Sequence, residues 1–170
     1  TRPDAPLRGF LVLVDFPGVH AFVDAARKAG DYWAGSWLIS NAMWRLAERV
    51  MDEFGPDVLI SPTPRMNPYF HFGYLHRALK RVLGEKAEGI QGKIREVMEE
   101  LFGKLAGARL SWEEWLRQPI IPGTLLLALP KGIGWTERAQ TVAEKLAEIF
   151  RESWREGVEE IRDALPAATG

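Results

Sequence analysis

Asp15 closes an apolar run, Phe10 to Phe16, at the place where a nucleotidyl-transferring sheet carries its first metal-binding carboxylate. Two-metal transfer needs a second carboxylate on a neighbouring strand, so that the ions clamp the attacking oxygen and the polyphosphate together. The turn that would supply it reads Ser61-Pro62-Thr63-Pro64-Arg65-Met66-Asn67 and holds no acid. The residues therefore predict no catalytic group of the chain's own. Of the three histidines, His71 and His76 are five apart and do not share a helix face as a metal pair must, so no metal ligand is assigned. The absence of cysteine excludes disulfides, thiolate zinc sites and cysteine nucleophiles.

Other residues suit binding better than catalysis, and each has a plainer alternative. Asp15 is a ligand or the cap of the Pro17-Gly18 turn. Gly18 and Val19 offer backbone N–H groups to a phosphate at the start of a helix, or simply turn the chain. Arg27 and Lys28 are phosphate ligands or solvated helix charges. Ser36 and Ser40 lie four apart, so their hydroxyls share a helix face and can hydrogen-bond a base or ribose; the small run Ala34-Gly35-Ser36 serves close helix packing equally well. Trp33, Trp37 and Trp44 form a second stripe beside the aliphatic one, which predicts a partner interface on that helix unless they pack in the core. Arg65 and Asn67 sit in a turn stiffened by prolines, where they meet a partner or RNA, or form the turn itself.

These residues need elements to place them. Phe10–Phe16, Asp57–Ile60 and Thr124–Leu129 are apolar runs of strand length, each bounded by Pro or Gly, and the first reads as a buried central strand with no wet face. Asn67–Phe72 is a weaker strand that Pro64 and Pro68 confine to an edge. Ile39, Met43, Leu46, Ala47, Val50 and Phe54 recur at helical spacing and stop at Gly55-Pro56. Helices are also expected over Tyr74–Leu83, Ile90–Leu105, from the capping-box spacing at Ser111, and from near Thr136 to Leu165, with Gly157 weakening the last turns. The order predicts an α+β, ferredoxin-like domain: an antiparallel sheet covered by helices, with a helical insertion between the edge strand and the last strand. We read residues 1–165 as one such domain and 166–170 as a tail or linker. With 170 residues, 46% hydrophobic content and a net charge of −1, the chain has a core for one domain and no global attraction to nucleic acid or anionic membranes. No apolar run reaches membrane-spanning length, and a soluble, cytoplasmic protein is expected. The opening Thr1 and the final small residues suit a segment of something larger.

Asp15-Phe-Pro-Gly-Val-His-Ala-Phe-Val, Ala26-Arg27-Lys28, Asp31-Tyr-Trp-Ala-Gly-Ser36 and Leu38-Ile-Ser40 together resemble the first palm segment of the large subunit of type III-B (Cmr-type) CRISPR effector complexes, the Cas-ten family. Gly55-Pro-Asp57, Ile60, Pro62, Arg65 and Asn67-Pro68 resemble its second motif, and Ile121–Pro130 its third. The resemblance implies a non-catalytic palm domain that holds ATP with magnesium for a companion palm, whose Gly-Gly-Asp-Asp hairpin makes cyclic oligoadenylates. It implies as partners that catalytic palm, other effector subunits and, through the complex, CRISPR RNA with target RNA. Asp15, Gly18, Val19, Arg27, Lys28, Ser36 and Ser40 would then be the nucleotide side. The family's Gly-Gly-Asp-Asp and His-Asp nuclease motifs do not occur in this sequence. The alternative is a pure protein-interaction module with a vestigial nucleotide pocket.

Overall fold

The computed structural model describes residues 9–24, 27–107 and 109–164. Strand β1 (Gly9–Asp15) ends where Pro17 withdraws a donor and Gly18 adopts a positive φ of 77°. A short helix α1 (Val19–Asp24) and the long α2 (Ala29–Phe54) follow. Gly55, at φ 93°, stops α2 and hands the chain through a 3-10 turn to β2 (Leu59–Ser61). Contacts divide the chain into two compact units, one reaching Pro62 and resuming at Pro119, the other spanning Thr63–Gln118.

In the first unit β2 pairs with the later strand β3 (Thr124–Pro130), and so does β1, both antiparallel, giving the order β1-β3-β2. With β3 between them, β1 and β2 run parallel and α2 is their crossover, the split β-α-β unit of ferredoxin-like folds. The chain is thus α+β, with an antiparallel three-stranded sheet and helices on it. One expectation fails here. The run Phe10–Phe16 does not form a central strand buried on both faces: β1 lies at the edge, and Leu11 and Leu13 are 72% and 67% exposed. β3 takes the centre, with Leu125, Leu127 and Leu129 buried. A continuous apolar run reports that a strand is fit for burial, but strand order is set by which chains reach it.

The core lies between sheet and helices, built from Ile39, Met43, Leu46, Ala47 and Val50 of α2 and from Val142, Leu146 and Ile149 of α6 (Ala139–Ala164). Arg45 bridges Glu156 and Glu160, while Arg49 reaches Glu152 at 2.6 Å and Glu156 at 2.5 Å, so α2 and α6 run antiparallel. Gly157 does not end α6. It is buried, and a Cβ there would come within 3.1 Å of the Leu38 side chain, so the glycine permits close helix approach.

The second unit is the helical insertion between β2 and β3: α3 (Leu75–Leu83), α4 (Ala87–Ala106) and α5 (Trp112–Trp115), around Phe72, Phe102 and Trp115. The edge strand expected over Asn67–Phe72 is instead a wide π-type helical turn, Tyr69–Tyr74. Asn67 accounts for the difference: its Oδ1 accepts from the Tyr69 N–H at 2.9 Å and its carbonyl accepts from Phe70 and His71, which starts a helix where a strand would need an extended backbone. Ser111 and Glu114 close the capping box that the sequence predicts. The tail read over 166–170 lies outside the described residues.

Candidate functional site

In the first unit the chemistry-bearing residues gather at the end of the sheet where β1 leaves it. Asp15 is exposed, and the Thr124 hydroxyl donates to its Oδ1 at 2.8 Å, tying the two strand ends together. Phe16 continues the ladder by donating its N–H to Gly123 O at 2.7 Å. Below this edge Phe16 stacks on Trp154 at 5.5 Å and 18°, and Phe22 meets Trp154 edge-on. A Cβ on Gly123 would approach Val19 to 2.8 Å, so that glycine lets α1 lie against the sheet end. This aromatic floor joins residues more than a hundred positions apart, and no local signal announced it. Gly18 and Val19 open α1, but a helix of six residues sums few peptide dipoles and offers an anion little. Arg27 and Lys28 are exposed just before α2, where Lys28 is the N-cap residue.

A cleft of about 460 Å³ runs along β1 from Val12 to Pro17 and is closed by Met43 and by Ala143, Leu146, Ala147, Phe150 and Arg151 of α6. Asp15 lines it; Ser36 and Ser40 do not. Ser40 is 1% exposed, and its hydroxyl accepts the Ile121 N–H at 2.8 Å, so this oxygen closes the loop entering β3. Ser36 is half-buried one turn earlier. The tryptophan stripe is graded along α2: Trp33 is exposed, Trp37 half-buried and Trp44 buried. Among the described residues no group of three or more His, Asp or Glu side chains could hold a metal, and Asp15 with the Thr124 hydroxyl does not amount to a two-metal site.

In the second unit Arg65 is exposed and its carbonyl accepts from His71 Nε2 at 2.8 Å, while Asn67 is buried by the turn it forms. His76, Arg95 and Trp112 form a separate stack. The His76 and Trp112 rings are parallel within 10°, and the Arg95 guanidinium carbon sits 4.2 Å from the Trp112 ring centre with Nη2 at 3.0 Å from His76 Nδ1. Burial, then the charges of Arg95 and Lys80, hold the imidazole below its ordinary value of 6.5. A histidine depressed in the fold binds fewer protons than the unfolded chain once pH drops below that value, so stability falls as pH falls from 6.5 toward the lowered value. Urea midpoints should drop between pH 7.5 and 5.5, and His76→Gln should flatten that drop; an unchanged slope in the variant would assign it elsewhere.

A split β-α-β sheet with a strand-end carboxylate and a helical insertion defines a ferredoxin-like α+β protein. Residues 11–159 match the family model "CRISPR-associated protein Cmr2, N-terminal", and the chain belongs to that family. It is 29% identical over 168 residues to the "CRISPR system CMR subunit Cmr2" of Saccharolobus solfataricus, covering 91% of this chain and 15% of that relative. It is 29% identical over 116 residues to the Cmr2 subunit of Pyrococcus furiosus, covering 60% of this chain and 13% of that one. Two solved structures are similar: a type III-B Cmr-beta complex in its apo state (TM-score 0.67, 26% identity, 86% of this chain and 15% of the matched one) and Cmr-beta bound to cognate target RNA (TM-score 0.69, 29% identity, 94% and 16%). The chain therefore spans about 15% of the length of the first of these relatives. No described helix is long and apolar enough to cross a membrane.

Proposed function

We propose that the chain is a non-catalytic palm unit in the large subunit of a type III-B CRISPR effector complex, acting first as scaffold and second as one wall of a nucleotide site. The observation that carries this reading is the carboxylate at the sheet end: Asp15 is exposed and bonded to Thr124, and the turn after β2 holds no acid to accompany it. Whatever ATP and magnesium bind there must draw further ligands from a companion catalytic palm, which by family resemblance supplies the cyclic oligoadenylate chemistry. Arg27 and Lys28, exposed before α2, supply positive charge within this chain, and Ser36 the remaining hydroxyl. CRISPR RNA and target RNA are reached through the assembled complex, in keeping with a net charge of −1.

Calorimetric titration with ATP and magnesium tests this. The chain alone should show no saturable binding up to millimolar ATP, whereas the complete large subunit should bind, about tenfold more weakly with Asp15→Ala, a difference of about 1.4 kcal/mol. Tight binding by the chain alone would refute the shared site. A second reading, a pure interaction module, is favoured by Ser40, whose hydroxyl is already committed to Ile121. Unchanged ATP affinity in Asp15→Ala would select it.

A further inference from the structure

The stack of His76, Arg95 and Trp112 in the second unit holds a guanidinium by its faces and leaves an edge unanswered. Arg95 Nη2 lies 3.0 Å from His76 Nδ1 and 3.4 Å from Nε2, and closeness to both nitrogens places it over the imidazole face rather than at its rim. The guanidinium carbon is 4.2 Å from the Trp112 ring centre, and the two rings are parallel within 10° at 6.5 Å, so the group sits flat between them. Its N–H donors lie in its own plane and need acceptors there, which two rings above and below cannot be. Arg95 Nε is buried and bonded to no protein atom. The nearest carboxylate along α4 is engaged elsewhere: Glu99, one turn on, accepts from the Trp112 backbone N–H at 2.7 Å.

Beside the stack, α3 and α4 enclose a cavity of about 750 Å³ lined by His76, Lys80 and Arg95. Its wall includes Gln91, 5% exposed, which donates to the His76 carbonyl at 2.8 Å and so fixes one helix on the other. Lys80 follows His76 by four residues, so both project from one side of α3. Among the described residues no ion pair holds Lys80 or Arg95. The imidazole registers both charges: after burial, they are what holds it below its ordinary value of 6.5. Glu85 and Glu88 also line the cavity, exposed on its solvent side. Carboxylates there repel a nucleic-acid strand, which would carry its neighbouring phosphates past them, but leave space for one compact anion between the cations.

We propose that this cavity binds a single phosphate-monoester dianion, either inorganic phosphate or the terminal phosphate of a small ester, with the Arg95 fork on two of its oxygens and Lys80 on a third. The donors set the class. A planar fork matches two oxygens of a phosphoryl group, and the ammonium then takes a third oxygen that a carboxylate does not have. His76 gains a proton when the dianion is bound and adds a third positive charge. The site shares no residue with the Asp15 cleft and stands or falls apart from the nucleotide reading.

NMR titration of the 170-residue chain at constant ionic strength tests this, read at the His76 imidazole. Inorganic phosphate and methyl phosphate should bind saturably with a Kd of about 1 mM or tighter. At saturation His76 should take up its proton about one pH unit higher or more. Dimethyl phosphate, a monoanionic diester like the nucleic-acid backbone, should bind at least about tenfold more weakly. Lys80→Gln, at an exposed position, should weaken phosphate about tenfold, and Arg95→Lys, which keeps the charge and loses the planar fork, by at least as much. If Arg95→Lys loosens the helical unit, Lys80→Gln alone decides. A His76 response that sodium chloride reproduces, or phosphate affinity unchanged in Lys80→Gln, would overturn the proposal. Equal binding of dimethyl phosphate would overturn it as well, by giving the cavity to a backbone diester.

Discussion

Leu127→Ala should lower the unfolding free energy by about 2–5 kcal/mol, the largest loss expected from a single substitution here. Leu127 is 0% exposed in the central strand, opposite Val12 of β1 and Leu59 of β2, so its removal leaves a void that three strands and the helices above cannot all collapse into. Leu11→Ala is the matched control. It deletes the same side chain from a 72% exposed position and should shift stability by no more than about 0.5 kcal/mol. Urea unfolding of the two variants makes the comparison. Equal losses would mean that Leu11 is buried in solution as deeply as Leu127, as the unbroken apolar run of β1 suggests.

Ser40→Ala should cost about 1–3 kcal/mol, because it strands the buried Ile121 N–H without an acceptor rather than merely removing a hydroxyl. The same variant should leave the ATP affinity of the complete large subunit within about twofold, since a 1.4 kcal/mol change is needed for tenfold and this oxygen is already in use. Thermal unfolding and calorimetric titration of one preparation read both effects. Intact stability with lost nucleotide binding would reverse the assignment and return Ser40 to the nucleotide side.

The helices were largely legible. The apolar spacing of α2, its stop at Gly55-Pro56 and the Ser111 box depend on residues within a few positions of one another, and the structure repeats them. The family was legible too, because its motifs are runs of adjacent residues such as Asp31–Ser36, and the family match confirms it. What misled was the reading of burial from composition: Phe10–Phe16 looks central but lies at an edge, and Asn67–Phe72 looks extended but winds into a helical turn around Asn67.

By itself the sequence determined that this chain is an α+β, split β-α-β protein whose turn after the second strand holds no acid, since periodicity and turn residues are local properties. Only the tertiary structure decided that β3 is central, that Ser40 is spent on Ile121, that Asp15 answers to Thr124, and that a cleft runs along β1. Each of these joins residues 65 or more positions apart, and side-chain spacing carries no information about which distant segments come to lie side by side.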